Sequence, residues 1–198
     1  MKEILPGIYQ WSWFSQEKGY DFNGHLIISG AERVMIDPPP LSAEVGTWLK
    51  TQEPITCIVL TNRDHVREAE AFRKQFKTIV LAPEADAPLM EIKIDRTFKD
   101  GDLLPGGVKA VHIPDGKSPG ESALFLDRGK GVLILGDALI GKPSGKLNLM
   151  PPEKYKDPAE ARDGIRVLLK YRFDSVLVGD GVPVLTGGKR AVEEFLRS

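Results

Sequence analysis

The feature that most constrains this chain is a short apolar run, Ile55-Thr56-Cys57-Ile58-Val59-Leu60, that stops abruptly in the polar stretch Thr61-Asn62-Arg63-Asp64-His65. Rich in β-branched residues and too short for a helix, the run reads as a buried strand. After the polar turn, Ala69, Phe72 and Phe76 recur at helical spacing, which predicts a helix over 67–76. A strand that ends in a polar turn and feeds a helix is where α/β folds place their chemistry.

The rest of the chain repeats that grammar. Residues 8–13 alternate with aromatics and end in the polar turn 15–19. Residues 22–29 and 33–36 form a strand pair about Gly30-Ala31-Glu32. Asp37-Pro38-Pro39-Pro40 stops it, because proline cannot donate to a sheet ladder. Ser42 suits the N-cap of a helix running to Lys50. A strand over 78–81 and a short helix over 83–89 follow. Asp100-Gly101-Asp102 and Pro105-Gly106-Gly107 are tight turns among strands near 108–113, 122–126 and 131–135. A loop rich in Pro, Gly and Lys fills 141–158, then come a helix over 158–171, a strand over 175–178 and a closing helix over 187–197. Strands lie in the middle of two similar halves, about 1–93 and 94–198, with helices outside. One layered α/β domain over 1–198 is expected.

Composition narrows the function classes. Among 198 residues, Lys and Arg number 27 against 28 Asp and Glu, so no surface for nucleic acid is expected. No run approaches the ~18 apolar residues of a membrane span. The opening Met1-Lys2-Glu3-Ile4-Leu5-Pro6 has no apolar signal core, so a cytoplasmic location is expected. Cys57 is the single cysteine, which rules out an intrachain disulfide and fits a small core residue.

Five segments, in order, carry a resemblance. Asn23-Gly24-His25-Leu26-Ile27-Ile28 with Val34-Met35-Ile36-Asp37 is the first, and Phe98-Lys99-Asp100-Gly101-Asp102 the second. His112-Ile113-Pro114-Asp115-Gly116-Lys117-Ser118-Pro119-Gly120, Leu133-Ile134-Leu135-Gly136-Asp137-Ala138-Leu139 and Val178-Gly179-Asp180-Gly181-Val182-Pro183 complete the set. Together with Thr61-Asn62-Arg63-Asp64-His65-Val66-Arg67 they resemble the metallo-β-lactamase superfamily, nearest in flavour to its glyoxalase II-like hydrolases. The resemblance implies a four-layer αββα sandwich of two mixed β-sheets flanked by helices. It also implies a dinuclear zinc site of five histidines and two aspartates, and this chain has three histidines in all.

Carried over residue by residue, the resemblance retains Asp137 as the bridging carboxylate. Asn62, Asp64, Arg67, Lys117 and Asp180 fall where histidine ligands belong, and Val66 where the motif has Asp. Asparagine is a poor zinc ligand, and charged lysine and arginine have no lone pair to give. Lys117 and Arg67 would then take the electrostatic place of the metals, Lys117 pairing with Asp137 or Asp180 and Arg67 with Asp64 or another carboxylate. A second alignment takes Asp64-His65 as the family's Asp-His pair. It gathers Asp64, His65, Asp137 and Asp180 around one divalent ion suited to Mn²⁺, Fe²⁺ or Mg²⁺.

Each residue also has a plainer reading. His65 could face solvent in a helix's first turn, His112 could be a buried structural histidine bonded to backbone, and His25 a core or pocket-wall residue. Trp11, Trp13, Phe14, Tyr20 and Phe22 could cap a substrate mouth or serve as core or a dimer contact. Lys142, Lys146 and Lys154 read as solvated side chains or as recruiters of an anion. Leu147, Leu149 and Met150 are expected to supply apolar contacts from the 141–158 loop. Ser118 beside Lys117 is a Ser-Lys pair whose neighbouring side chains point apart. Two function classes remain. One is a metal-free member that binds a small-molecule ligand or a partner, a homodimer included. The other is a hydrolase of a thioester, lactone or phosphoester with one non-standard metal ion.

Overall fold

A computed structural model describes residues 1–52 and 54–198. The run at 55–60 forms β5 (Cys57–Val59), and its side chains alternate between two apolar layers. Cys57 and Val59 face one core with Ile27, Val34 and Ile36, while Ile58 and Leu60 face another with Phe72 and Phe76. A strand covered on both faces is apolar throughout, which is why the run has no polar face.

The first sheet has the order β1-β2-β3-β4-β5-β6-β7. Its remaining strands are β1 (Lys2–Leu5), β2 (Ile8–Ser15), β3 (Tyr20–Ser29), β4 (Glu32–Ile36), β6 (Ile79–Pro83) and β7 (Arg96–Phe98). Pairing is antiparallel from β1 to β4 and parallel from β4 to β7. The second sheet has the order β12-β11-β10-β9-β8. Its strands are β8 (Leu103–Leu104), β9 (Val108–His112), β10 (Ser122–Leu126), β11 (Val132–Leu135) and β12 (Ser175–Val178), with β11 and β12 parallel.

The sheets meet face to face through Ile27, Ile36, Val59, Val108, Leu124 and Ile134. Outside the first sheet lie α1 (Ala43–Lys50) and α2 (Ala69–Phe76). Outside the second lie α3 (Pro158–Gly164), the 3₁₀ helix Ile165–Lys170 and α4 (Gly188–Arg197). This is the αββα layering of two mixed sheets.

Several boundaries differ from the sequence reading. The expected helix over 67–76 is split into a 3₁₀ turn at Arg63–His65 and α2, with Arg67 in the left-handed region at φ 41° between them. The expected helix over 83–89 shrinks to a turn at Ala87–Leu89, because β6 runs on through Pro83. The helix over 158–171 changes to 3₁₀ geometry at Ile165. Strands β1, β7 and β8 are additions. The 140–158 loop is strapped by a bridge between Ile140 and Asn148 and by Tyr155 Oη accepting from Met150 N–H at 3.0 Å.

Candidate functional site

The polar residues collect at one edge, where strands of both sheets end. Asp37 follows β4, and Thr61 to Arg67 follow β5. Lys117 lies between β9 and β10, Asp137 follows β11 and Asp180 follows β12. Glycine precedes both of the last two aspartates because there is no room for a Cβ. One on Gly136 would collide with the Thr61 hydroxyl and Asn62 amide, and one on Gly179 with the His65 ring.

His65 is the centre. Its side chain is 3% exposed, so it does not face solvent as the plainer sequence reading supposed. The cause is local: Asn62 caps the 3₁₀ turn by accepting from Asp64 N–H at 2.8 Å and His65 N–H at 3.1 Å, which rolls the ring inward. Asp37 Oδ2 lies 2.8 Å from His65 Nδ1, and Thr61 donates to the same carboxylate through its amide at 2.9 Å and its hydroxyl at 2.6 Å. Asp37 holds φ 47°, a left-handed backbone that aims its carboxylate at this turn. On the other side of the ring, Nε2 is 3.4 Å from Asp137 Oδ1. Burial and the charge of Arg67 push the imidazole toward neutrality. The charges of Asp37 and Asp137, with the bond to Asp137, outweigh them and lift its pKa to about 10.

Two other cations complete the edge. Lys117 Nζ donates to Asp137 Oδ2 at 2.7 Å and lies 3.0 Å from Asp64 Oδ2. Burial opposes its charge, but Asp137 and Asp64 more than compensate and hold its pKa above the ordinary lysine value. Burial likewise works against the Asp137 carboxylate, yet His65 and Lys117 keep it well below the usual carboxylate range. Arg67 donates to Asp180 Oδ1 at 2.6 Å, to Asn23 O at 2.9 Å, to Gly179 O at 3.2 Å and to Asp37 O at 3.3 Å. Its guanidinium also stacks 4.7 Å above the Phe22 ring.

Thus Asp64, His65, Arg67, Lys117, Asp137 and Asp180 come together in one network. Asn62 joins it through its cap and through a 3.2 Å bond to Glu121 Oε1. Val66 packs in the apolar layer under α2 instead of facing the cluster. His25 is a core residue with its pKa pushed down to about 4, chiefly by burial. His112 is only half-buried, and the bond it makes is from its backbone N–H to Asp100 Oδ1, which corrects the buried-histidine reading. Trp11 is core against Phe72, whereas Trp13 and Phe14 are exposed. Lys142 lies 5.0 Å from the Tyr20 ring, joining the 140–158 loop to β3. Leu147 is buried in the outer core of the second sheet and Leu149 packs against it.

Two residues escaped the sequence reading. Glu121 is fully buried, its Oε2 has no partner among the described residues, and burial with the charge of Asp137 raises its pKa well above a normal glutamate. Asp86 is a buried hub that accepts from Arg63 N–H at 2.8 Å, Ser118 Oγ at 2.6 Å and Gly120 N–H at 2.7 Å. Ser118 is therefore committed to Asp86 and not to Lys117. No local signal marks either: Asp86 falls in the segment read as a short helix over 83–89, Glu121 falls just before the strand over 122–126, and both act through partners distant in sequence.

His65, Asp137 and Asp180 each offer an atom within 4.8 Å of the others, the geometry of a metal-ligand group. Their engagements do not fit a metal. Asp137 is bonded to Lys117 and His65, Asp180 to Arg67 and His65 Nδ1 to Asp37. The lysine and arginine supply positive charge but no lone pair.

A family model described as the metallo-beta-lactamase superfamily matches residues 1–198. Among solved structures, the chain is similar to the DIM-1 metallo-beta-lactamase with a TM-score of 0.80 and 15% identity, over 99% of this chain and 95% of that one. A metallo-beta-lactamase from Pontibacter korlensis gives 0.80 and 18%, over 100% and 98%. A metallo-beta-lactamase family protein from Thermus thermophilus gives 0.71 and 18%, over 98% and 80%. No curated protein matches in sequence.

Proposed function

This chain belongs to the metallo-β-lactamase superfamily, and on that premise we propose that it works without a catalytic metal, using its charged edge to hold a small polar ligand or a partner instead of to hydrolyse. The observation that carries this reading is the pairing of each carboxylate with a protein cation: Lys117 between Asp64 and Asp137, and Arg67 on Asp180.

The chemistry follows from those pairs. Hydrolysis in this superfamily draws on a metal that lowers the pKa of bound water from 15.7 to about 7. The groups of the network offer no substitute. A protonated His65 between two aspartates is not a base at neutral pH, and a charged Lys117 is not a nucleophile. Binding is within their reach. Asp64 is 43% exposed and accepts bonds, while Lys117 carries three N–H donors, of which two carboxylates engage two. A small ligand with an adjacent donor and acceptor, such as a hydroxyl or an amide, matches that pair.

The test is elemental analysis of protein purified without chelator, with turnover of thioester, lactone, β-lactam and phosphodiester substrates assayed with and without Zn²⁺. The expected result is far less than one metal per chain and no zinc-dependent turnover. Near-stoichiometric metal that is lost in Asp137→Ala would overturn it. That outcome would favour the second reading, a hydrolase with one ion, for which the grouping of His65, Asp137 and Asp180 speaks.

A further inference from the structure

The charged edge occupies the end of the sandwich where β11 and β12 finish, and the opposite end, where those strands begin, holds a separate cavity. There the turn Pro6-Gly7 between β1 and β2 meets residues 128–131, which lead into β11, and the start of β12. The cavity is ≈ 320 Å³, and its apolar lining includes Leu5, Ile8, Val132 and Leu185. Ile8 and Val132 belong to the core between the sheets, so the cleft reaches that core, while Leu185 is exposed at the mouth. A mostly apolar cleft of this volume with a few fixed polar groups is the form that small-molecule sites take.

The rim of the cleft carries a fixed cation. Arg128 Nη1 donates to Ile28 O at 3.2 Å and to Pro6 O at 3.3 Å, which pins the guanidinium against the β1–β2 turn. Gly7 permits that approach: its φ is 70°, and a Cβ there would stand 2.9 Å from Arg128 Nη1 and 3.0 Å from Ile28 O. Among the described residues no acceptor meets Arg128 Nε or Nη2, and no carboxylate pairs with the guanidinium. Asp174, the acidic residue of the lining, is engaged by Lys130 at 3.7 Å and by Gly187 N–H at 2.8 Å. Arg128 therefore keeps an uncompensated charge and spare donors beside an apolar cleft. We infer that this cavity binds an organic monocarboxylate with a short apolar tail, its carboxylate on Arg128 and its tail between Leu5, Ile8, Val132 and Leu185. A guanidinium presents paired N–H donors that match the two oxygens of a carboxylate. The site shares no residue with the charged edge, so binding there is independent of how that edge works.

The experiment titrates the full chain with octanoate, octanol and octylamine, following isothermal heats and the NMR shifts of the methyl groups of Leu5, Ile8, Val132 and Leu185. Octanoate should shift those methyls, with a Kd on the order of 1 mM or below. It should bind about tenfold more tightly than octanol, the worth of a charge-assisted hydrogen bond. Octylamine, with the same tail and the opposite charge, should bind more weakly than octanol. Arg128→Gln, with its fold checked by a thermal melt, should weaken octanoate about tenfold and leave octanol nearly unchanged. Arg128 also supports the β1–β2 turn, so Leu185→Glu, at an exposed position, supplies a second arm. Its negative charge at the mouth should weaken octanoate and not octylamine. Equal binding of octanoate and octanol, or octanoate binding that neither variant alters, would overturn the assignment. So would the absence of methyl shifts at about 10 mM octanoate. Methyl shifts that follow protein concentration without octanoate would make the mouth an interface between copies and overturn it equally.

Discussion

Arg67 and Lys117 lie on either side of the same buried histidine network, yet they belong to different kinds of structure. The Arg67 region is a seam: its side chain, 7% exposed, links Asn23 and Asp37 of the first sheet to Gly179 and Asp180 of the second. The Lys117 region is a rim, with the lysine 17% and its partner Asp64 43% exposed. The same charge therefore has opposite roles, architectural where the acceptors are backbone and exchangeable where they are side chains. Water at the rim also screens the second pair, so breaking it costs less.

The sharpest way to break this comparison is to remove each cation in turn. Arg67→Met strands a buried Asp180 carboxylate and several carbonyls, and should cost roughly 3–5 kcal/mol in chemical denaturation. A loss no larger than that of the lysine variant would abolish the distinction.

His65, between the two regions, gives the next largest effect. Its pKa of about 10 lies above the ordinary 6.5, so the stabilisation from its imidazolium is complete below about pH 6.5 and is lost as pH rises to 10. Stability should fall on the order of 3 kcal/mol between pH 7 and 10. His65→Gln should flatten that slope, and an unchanged slope would mean the ring is neutral. Asp137, with its pKa held down, acts in the opposite sense, and its contribution is lost only in strong acid.

Lys117→Met should cost about 1–2 kcal/mol, less than the arginine variant, because Asp64 can turn to water. Circular-dichroism melts of both variants under one buffer would rank them. Glu121→Gln should be the smallest change and a gain, about 1 kcal/mol at pH 8. Above the ordinary glutamate range the unfolded chain releases a proton whose loss burial and the Asp137 charge oppose in the folded protein, an unfavourable term that glutamine removes. A loss of stability at that pH would show that Glu121 is ionised in place.

The layers were legible because both faces of the central strands are covered. Runs such as Cys57–Val59 and Val132–Leu135 then carry no competing polar signal. Edge strands such as β7 and β8 were not, since two or three residues make no period. The polar edge was legible through the five family-like segments, but the orientation of His65 was not. Helical spacing assigns a position around an axis, and a 3₁₀ turn closed by an asparagine cap does not share that axis. Glu121 and Asp86 act through loop contacts far apart in sequence, which no local pattern encodes.

The seam at Arg67 also bears on how fast the molecule comes apart. Its bond to Asp180 joins residues 113 positions apart, and Asn23 Nδ2 reaches Gly181 O across 158. Closing loops of that size costs more chain entropy than the shorter-range pairings within each sheet, so these contacts are expected to form after them. Interactions absent from the folding transition state slow unfolding without speeding folding. Arg67 should therefore act as a latch on the native lifetime: its loss would raise the unfolding rate at every denaturant concentration and leave the refolding limb nearly where it was.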